Sequence, residues 1–234
     1  MAAGVLQRER IALDIGGSSV VGVGLSGKPG NLRLQRCFEW PLPLGLVVDG
    51  EIADADLFAR ELKAMVAQHK LRGRTVQLSV SNQKVIVRSI DMPEMTEEEL
   101  LGAVQFQAQE YIPIPVEDVI LDSMVTGKRA LADGSMRQEV LLVAAQRAMI
   151  MTLLGVVKRA GLKVAAIDVS SLALVRALLP ETSFFGETGE PGACRGIADV
   201  SSSVCTLVLA VGGVMKFTRI VNFSSDRFAR ILTE

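Results

Sequence analysis

Two segments of this chain place an aspartate at the end of an apolar run and follow it with a turn of small residues. Asp14 ends the run that begins at Ile11, and Asp199 ends the run that begins at Gly196. Backbone N–H groups in such turns form concave sites suited to phosphate, and a nearby carboxylate can hold the hydrated Mg²⁺ that accompanies phosphate. The candidate phosphate-binding residues are Asp14, Gly16, Gly17, Ser18, Ser19, Asp199, Ser201, Ser202 and Ser203.

The repetition of this pattern, an aspartate followed by a turn of small residues, is more informative than either copy. A single turn of this composition is also what a β-hairpin uses for steric reasons alone. Two copies, each followed by further β-like sequence, favour two related lobes that face one nucleotide. In that arrangement Asp14 and Asp199 would both bind Mg²⁺ through water.

The composition excludes several functional classes. The 234 residues include 25 Lys and Arg against 26 Asp and Glu, a net charge of −1 that gives no reason to expect nucleic acid as a partner. No apolar stretch approaches the ~20 residues that a membrane-spanning helix needs. The three cysteines lack metal-binding spacing. We therefore expect a cytoplasmic protein without direct membrane insertion.

The order of predicted elements indicates a duplicated α/β architecture. Three strands precede a helix that begins after Asp54, and the capping-box pair Thr96 and Glu99 begins another helix. A strand over 163–168 and a further helix follow. Thr182–Ala193 is predicted to be a linker, and three more strands come after it.

The segment Ser79–Asp122 carries a resemblance to a known family. Its landmarks are Ile86-Val87-Arg88, Met92-Pro93, Glu110-Tyr111-Ile112-Pro113 and Leu121-Asp122, with further matches at Val143-Ala144-Ala145, Ala160-Gly161-Leu162 and Asp168-Val169. In this order they closely resemble the PilM family, the cytoplasmic actin-like proteins of type IV pilus assembly.

The resemblance implies an α/β, actin-like fold of the FtsA and PilM type, with two lobes, an inserted 1C subdomain and an incomplete second lobe. The expected boundaries are 8–45 and 163–182 for subdomain 1A, 46–162 for the 1C insert, 183–194 for the linker and 195–234 for the start of the second lobe. Because Glu234 falls shortly after the start of an expected helix, we expect a fragment.

Two residues differ from the family pattern at the expected nucleotide site. Val21 replaces a lysine that reaches a phosphate in the family, and Ser201 replaces a glycine of the second turn. Glycine is favoured where a backbone must approach phosphate closely or adopt a positive φ. ATP with Mg²⁺ is thus the expected ligand, with binding weakened by both replacements and by the end of the chain.

The resemblance also implies partners. PilM-like proteins hold the cytoplasmic N-terminus of the inner-membrane protein PilN in a groove between 1A and 1C, and other platform or motor proteins are further expected partners. The predicted partner-binding residues are Gln105, Gln109, Glu110, Tyr111 and Ile112. The alternative for Tyr111 and Ile112 is that they only close the core of the insert. The acidic surroundings favour a tail that carries Lys or Arg among apolar residues.

Three interpretations of function remain open at this stage. The first is an adaptor, peripheral at the inner membrane through its partners, with ATP as a conformational ligand. The second is an active ATPase in which Asp14 and Asp199 organise Mg²⁺ and water. The third is a nucleotide-free relative of the GspL proteins of type II secretion. No arrangement of residues suggests another chemistry, so we expect a non-catalytic or very slow ATP-binding adaptor.

Overall fold

The computed structural model describes residues 9–28, 30–179, 194–202, 204–211, 214–223, 225 and 231–232. The elements in these ranges are β1 (Arg10–Ile15), β2 (Ser19–Lys28), β3 (Asn31–Pro41), β4 (Val47–Val48), β5 (Glu51–Ile52), α1 (Ala55–Gln68), β6 (Thr75–Val80), β7 (Val85–Pro93), α2 (Glu97–Tyr111), a 3₁₀ turn (Val116–Asp118), β8 (Val119–Ala130), β9 (Met136–Gln146), α3 (Arg147–Arg159), β10 (Lys163–Val169), α4 (Ser170–Leu178), β11 (Cys194–Val200), β12 (Cys205–Val211) and β13 (Val214–Val221). The predicted linker, Thr182–Ala193, lies outside the described residues.

The first sheet has five strands in the order β10-β6-β1-β2-β3. The first three strands in sequence form antiparallel ladders, whereas β6 runs parallel to β1 and β10 runs parallel to β6. A parallel pair needs a crossover connection, which α1 supplies between β3 and β6. As expected, β10 lies in the same sheet as β1 to β3, although the whole insert separates them in sequence.

Two helices, α1 and α3, cover one face of the first sheet. Asp54 begins α1, where its Oδ1 accepts hydrogen bonds from the N–H groups of Asp56 and Leu57, both at 2.9 Å. The apolar stripe of α1 packs against the strands, and burial of this apolar area stabilises the layer. The strand residues of this core are Ile11, Leu13, Val20, Val76 and Leu78.

A separate antiparallel sheet, β7-β9-β8, forms the insert. The predicted capping box begins α2: Glu99 N–H donates to the Thr96 hydroxyl at 3.3 Å, and Thr96 N–H donates to the Glu99 carboxylate at 2.8 Å. The buried face of α2 presents Leu100, Val104 and Ala108 to one side of this sheet.

The separate antiparallel sheet and α2 take up only part of the range 46–162 that was predicted for the insert. Of that range, α1, β6 and α3 belong to the first sheet and its helical layer, and only 85–146 form the separate sheet with α2. The alternating burial of Val76 and Leu78 in β6 fits any half-buried strand. The parallel pairing of β6 with β1, which local pattern does not encode, decides which sheet it joins.

The second lobe begins with a third antiparallel sheet, β11-β12-β13. This sheet packs on both α4 and the insert through an apolar cluster that includes Val85, Leu141, Val175, Val208 and Met215. The insert sheet therefore lies between α2 on one face and the second lobe on the other. In the described part of the chain, no helix combines the length and apolar character needed to cross a bilayer.

Candidate functional site

The first predicted phosphate turn closes a tight hairpin between β1 and β2. Asp14 lies opposite Val21 in the ladder, and the N–H of Gly16 donates to the carbonyl of Ser19 at 2.9 Å. A Cβ at Gly16 would lie 3.3 Å from that carbonyl oxygen, so the turn favours a residue without a side chain. The loop between the strands consists of Gly16, Gly17 and Ser18.

The second predicted turn repeats this geometry between β11 and β12. Asp199 lies opposite Thr206, and the N–H of Ser201 donates to the carbonyl of Val204 at 3.0 Å. The Ser201 hydroxyl donates to the same carbonyl at 2.8 Å and accepts the Val204 N–H at 3.1 Å. Because this side chain bonds within its own turn, the hairpin accommodates serine in place of glycine. Ser202 is half-buried beside it, and Ser203 lies outside the described residues.

The first sheet aligns four residues in one row across β2, β1, β6 and β10. Val21 lies opposite Asp14, Asp14 lies beside Ser79, and Ser79 lies beside Asp168. Paired residues share a face of the sheet, and neighbouring strands lie about 4.8 Å apart. The Ser79 hydroxyl donates to Oδ1 of Asp14, and Asp168 forms an ion pair with Arg176 of α4.

A cleft of about 530 Å³ opens over this row. The first sheet and α4 form most of its walls, and Asp199 reaches it from the second lobe. Burial raises the pKa of Asp199, and the nearby Asp14 carboxylate raises it further. The two aspartates of the sequence repeat therefore line one cleft.

The polar lining of the cleft is acidic and neutral. Among the described residues that line it there is no Lys, Arg or His. The remaining polar side chains are Gln77, Ser79 and Ser170. Nor do any three His, Cys, Asp or Glu side chains in the described ranges converge as direct ligands of a metal ion. Within the described lining, a bound anion would depend on an accompanying cation or on backbone N–H groups for neutralisation.

Comparison with known proteins identifies the family. The family model described as type IV pilus assembly protein PilM matches residues 12–233. The chain belongs to the PilM family. It is also similar to a solved protein of the PilM–PilN type IV pilus biogenesis complex, with 28% identity and a TM-score of 0.78 over 97% of this chain and 67% of that protein.

More distant structures share the fold of this PilM-family chain. The cytoplasmic domain of EpsL, an inner-membrane component of the type II secretion system of Vibrio cholerae, matches with a TM-score of 0.52 and 11% identity over 96% of this chain and 74% of that domain. The ethanolamine utilization protein EutJ from Carboxydothermus hydrogenoformans matches with a TM-score of 0.50 and 10% identity, over 97% of this chain and 56% of that protein. With the sheet topology, the matches confirm the predicted actin-like α/β fold.

Val21 is the residue at which this PilM-family chain was expected to lose a phosphate-binding cation. It lies on the cleft wall directly opposite Asp14 in the β1–β2 ladder. A lysine at this position would extend from the same face of the sheet as Asp14. The structure thus places the replaced side chain in the cleft.

The predicted partner-binding residues divide between surface and core. Gln105, Gln109 and Glu110 are exposed on the outer face of α2, and Tyr111 is 41% exposed at its C-terminal end. Ile112 is 4% exposed and packs in the core between α2 and the insert sheet. This burial favours the alternative for Ile112, closure of the core of the insert, and its contact with a partner stays a prediction.

Two further apolar residues of α2, not among the predicted partner-binding residues, are exposed. Phe106 is 78% exposed and Leu101 is 61% exposed. Both fall outside the stripe of buried positions, Leu100, Val104 and Ala108, which are spaced four residues apart. That mismatch with the buried stripe was a signal available in the sequence.

Ser79 and Asp168 were also not assigned to the cleft. Each is a polar residue near the carboxyl end of a strand that pairs in parallel within the first sheet. Carboxyl ends of parallel strands commonly carry binding residues in open α/β sheets. From the sequence alone both belong only to family-like segments, because local pattern does not encode the order of strands in the sheet.

Proposed function

We propose that this chain is an adaptor of the type IV pilus assembly platform and that it binds the N-terminal segment of a PilN-like inner-membrane protein. The similarity over 97% of the chain to a protein of the PilM–PilN complex carries this proposal. Membership in the family of type IV pilus assembly protein PilM supports the same process. In this proposal the adaptor acts in the cytoplasm, is held at the inner membrane by its partner, and also meets other platform or motor proteins.

The outer face of α2 is the surface that we propose for the PilN-like segment. Leu101, Gln105 and Gln109 are spaced four residues apart and so lie along one line of the helix, beside Phe106. Exposed apolar side chains can anchor a peptide, and amide side chains can both donate to and accept from its backbone.

The charge of α2 favours a basic partner. The helix carries Glu97, Glu98, Glu99 and Glu110 and has no Lys, Arg or His in its sequence. Glu99 is engaged in the capping box, whereas Glu97, Glu98 and Glu110 are exposed. A segment with Lys or Arg among apolar residues therefore matches both the charge and the apolar anchors of this face.

The proposal is tested by calorimetric titration with the N-terminal peptide of the PilN-like protein from the same genome. We expect Phe106→Ala, Tyr111→Ala and Glu110→Lys each to weaken binding about tenfold, since truncation of an anchor or reversal of a facing charge removes a dominant contact. The matched control is Met151→Ala, which truncates a 58% exposed side chain on α3. Circular dichroism checks that the variants are folded.

The outcomes distinguish the adaptor function from the placement of the PilN-like segment on α2. If the unmodified chain does not bind the peptide, the adaptor proposal fails. If it binds and the three α2 variants behave like the control, the adaptor proposal stands, and the segment occupies another surface, such as the groove between the first sheet and the insert.

We further propose ATP with Mg²⁺ as a weakly bound conformational ligand of the cleft. Asp14 and Asp199 both line the cleft and could hold a hydrated Mg²⁺, whose charge would offset both carboxylates. α4 begins at Ser170 on the cleft wall, and the N-terminus of a helix favours anions. The lack of a basic side chain among the described lining residues lowers the expected affinity.

A ligand role is favoured over rapid hydrolysis for the same reason. Phosphoryl transfer depends on cations that stabilise charge on the transferred group, and Val21 stands where a lysine would supply one. Titration with ATP and Mg²⁺ should show weak binding that Asp14→Ala abolishes. Binding at low micromolar affinity would contradict the argument from Val21.

A further inference from the structure

The segment between the first sheet and the insert contacts both sides of the cleft. At the end of β6, the Ser79 hydroxyl donates to Asp14 of the first hairpin. Two residues later, the hydroxyl of Ser81 lies 3.0 Å from the hydroxyl of Thr206 in the second lobe. Ser79 and Ser81 therefore link one short backbone segment to both lobes.

Thr206 connects this segment to the second aspartate. It lies directly opposite Asp199 in the β11–β12 ladder and is only 1% exposed. A buried hydroxyl is costly to leave without a partner, so the bond to Ser81 is held firmly. A displacement of Asp199 relative to the first sheet would also displace Thr206, and with it Ser81.

The residues after Ser81 carry such a displacement into the insert. Asn82 is 1% exposed; its Oδ1 accepts the N–H of Lys84 at 2.9 Å, and its Nδ2 donates to the carbonyl of Gly50 at 3.3 Å. β7 starts at Val85, which packs in the cluster shared with the second lobe. Hydrogen bonds and burial thus hold the turn that leads from Ser81 to β7.

We propose that the segment Ser79–Asn82 couples the cleft to the insert, with Ser81 and Thr206 as the pair that transmits the position of the second aspartate hairpin to β7. A cation that draws Asp14 and Asp199 together would tighten this connection, and their mutual repulsion loosens it. As regulation of partner binding, the coupling rests on the proposed adaptor function. As a property of the chain, it can be measured without any partner.

The insert and the second lobe are also joined by contacts that do not involve this hydroxyl pair. Lys216 of β13 pairs with Glu139 of β9 at 2.6 Å, and the apolar cluster of Val85, Leu141, Val208 and Met215 joins the same surfaces. These contacts hold the insert and the second lobe together. The hydroxyl pair differs from them because it adjoins Asp199 in the ladder.

The test is hydrogen exchange by mass spectrometry on peptides covering β7 and β9 in the nucleotide-free chain. Asp199→Asn removes the repulsion with Asp14, and we expect it to slow exchange in β7 about threefold. When Asp199→Asn is added to the Ser81→Ala/Thr206→Val variant, exchange in β7 should be the same as in that variant without it. Removal of both hydroxyls avoids an unpaired buried group, and Ser81→Ala alone serves if the double variant is unstable.

Thr126→Val provides the matched control. Thr126 is 3% exposed, and its hydroxyl donates to the carbonyl of Glu139 within the insert sheet and not to a residue of the second lobe. The response to Asp199→Asn should persist on this background. The proposal is overturned if Asp199→Asn has no effect on β7, if its effect persists without the hydroxyl pair, or if Thr126→Val also abolishes it.

Titration with the PilN-like peptide gives a second readout. If the peptide binds, Asp199→Asn alone should change the affinity of the chain for it. Asp199→Asn added to the Ser81→Ala/Thr206→Val variant should leave that affinity unchanged. If the peptide does not bind, the adaptor proposal fails while the exchange experiment still decides the coupling.

Discussion

The two aspartates of the cleft occupy different environments. Asp14 is exposed and accepts the Ser79 hydroxyl, whereas Asp199 is half-buried and has a pKa raised by burial and by Asp14. A cation in the cleft would favour the ionised form of Asp199 and so oppose the two causes that raise its pKa.

Introduction of a lysine at position 21 should strengthen the binding of ATP with Mg²⁺. Val21 lies opposite Asp14 on the cleft wall, and charge-assisted hydrogen bonds contribute ~1.5–3 kcal/mol, so Val21→Lys should lower Kd by at least about tenfold. Val23→Lys is the control, because Val23 lines the same cleft two positions further from the hairpin. Calorimetry that shows no gain, or an equal gain for both variants, would contradict this placement.

The charge of Glu139 predicts an acid-sensitive contact between the insert and the second lobe. Burial raises the pKa of Glu139, but hydrogen bonds from Lys216 and Ser89 outweigh it and hold the pKa below its ordinary value of 4.5. Its contribution to stability is therefore present above pH 4.5 and is lost as the pH falls through the lowered pKa.

Urea unfolding at several pH values between 7 and 3 measures this contribution. Glu139→Gln should be less stable than the unmodified chain at pH 7, and the difference should shrink toward the acid end because the glutamate itself becomes neutral there. Glu94→Gln is the comparison, since Glu94 forms an exposed ion pair with Lys128 within the insert. A constant difference across the pH range would show that the carboxylate charge is not the cause.

At the scale of elements, α2 combines a well-defined beginning with an uneven surface. The residues from Thr96 to Glu99 encode its capping box and its acidic first turn, and such local signals act within a few residues. The helix position was therefore predictable. The exposure of Phe106 and Leu101 follows from how much of the helix circumference the insert sheet covers.

Loss of the cap should destabilise α2 measurably. Thr96→Ala removes the acceptor for the Glu99 N–H, and cap substitutions of this kind cost about 1 kcal/mol. Urea unfolding and faster hydrogen exchange in the first turn of α2 check this. Glu98→Gln is the control because it changes an exposed charge in the same turn without touching the box; equal effects of the two substitutions would refute the role of the cap.

At the scale of the whole molecule, the insert sheet contacts a different part of the protein on each of its two faces. One face carries α2, and the other contacts α4 and the second lobe. Neighbouring residues of β9 therefore support different parts of the protein. Leu141 is 3% exposed and faces the second lobe, while Leu142 is 1% exposed and faces α2.

Truncation of these two leucines should have distinct local effects. Leu141→Ala and Leu142→Ala should each cost about 2–5 kcal/mol through lost burial and a cavity. Hydrogen exchange should rise mainly in β12 and β13 for Leu141→Ala, and mainly in α2 for Leu142→Ala. The same exchange pattern in both variants would contradict the separation of the two faces.

The local devices of this protein could be predicted from the sequence, because each depends on residues close together in the chain. The two Asp-containing turns, the cap of α2 and the alternation of buried residues in β6 all belong to this class. Their repetition also indicated two related hairpins before any contact between them was known.

Only the tertiary structure decided how these devices meet. β2, β1, β6 and β10 are neighbours in one sheet, and this order creates the row of Val21, Asp14, Ser79 and Asp168. Asp199 reaches the cleft over this row because the second lobe packs beside α4. The same pairing assigned β6 to the first sheet, and packing under α2 buried Ile112. Strand order and burial arise from contacts between distant segments, and the periodicity of each segment fits several such arrangements equally well.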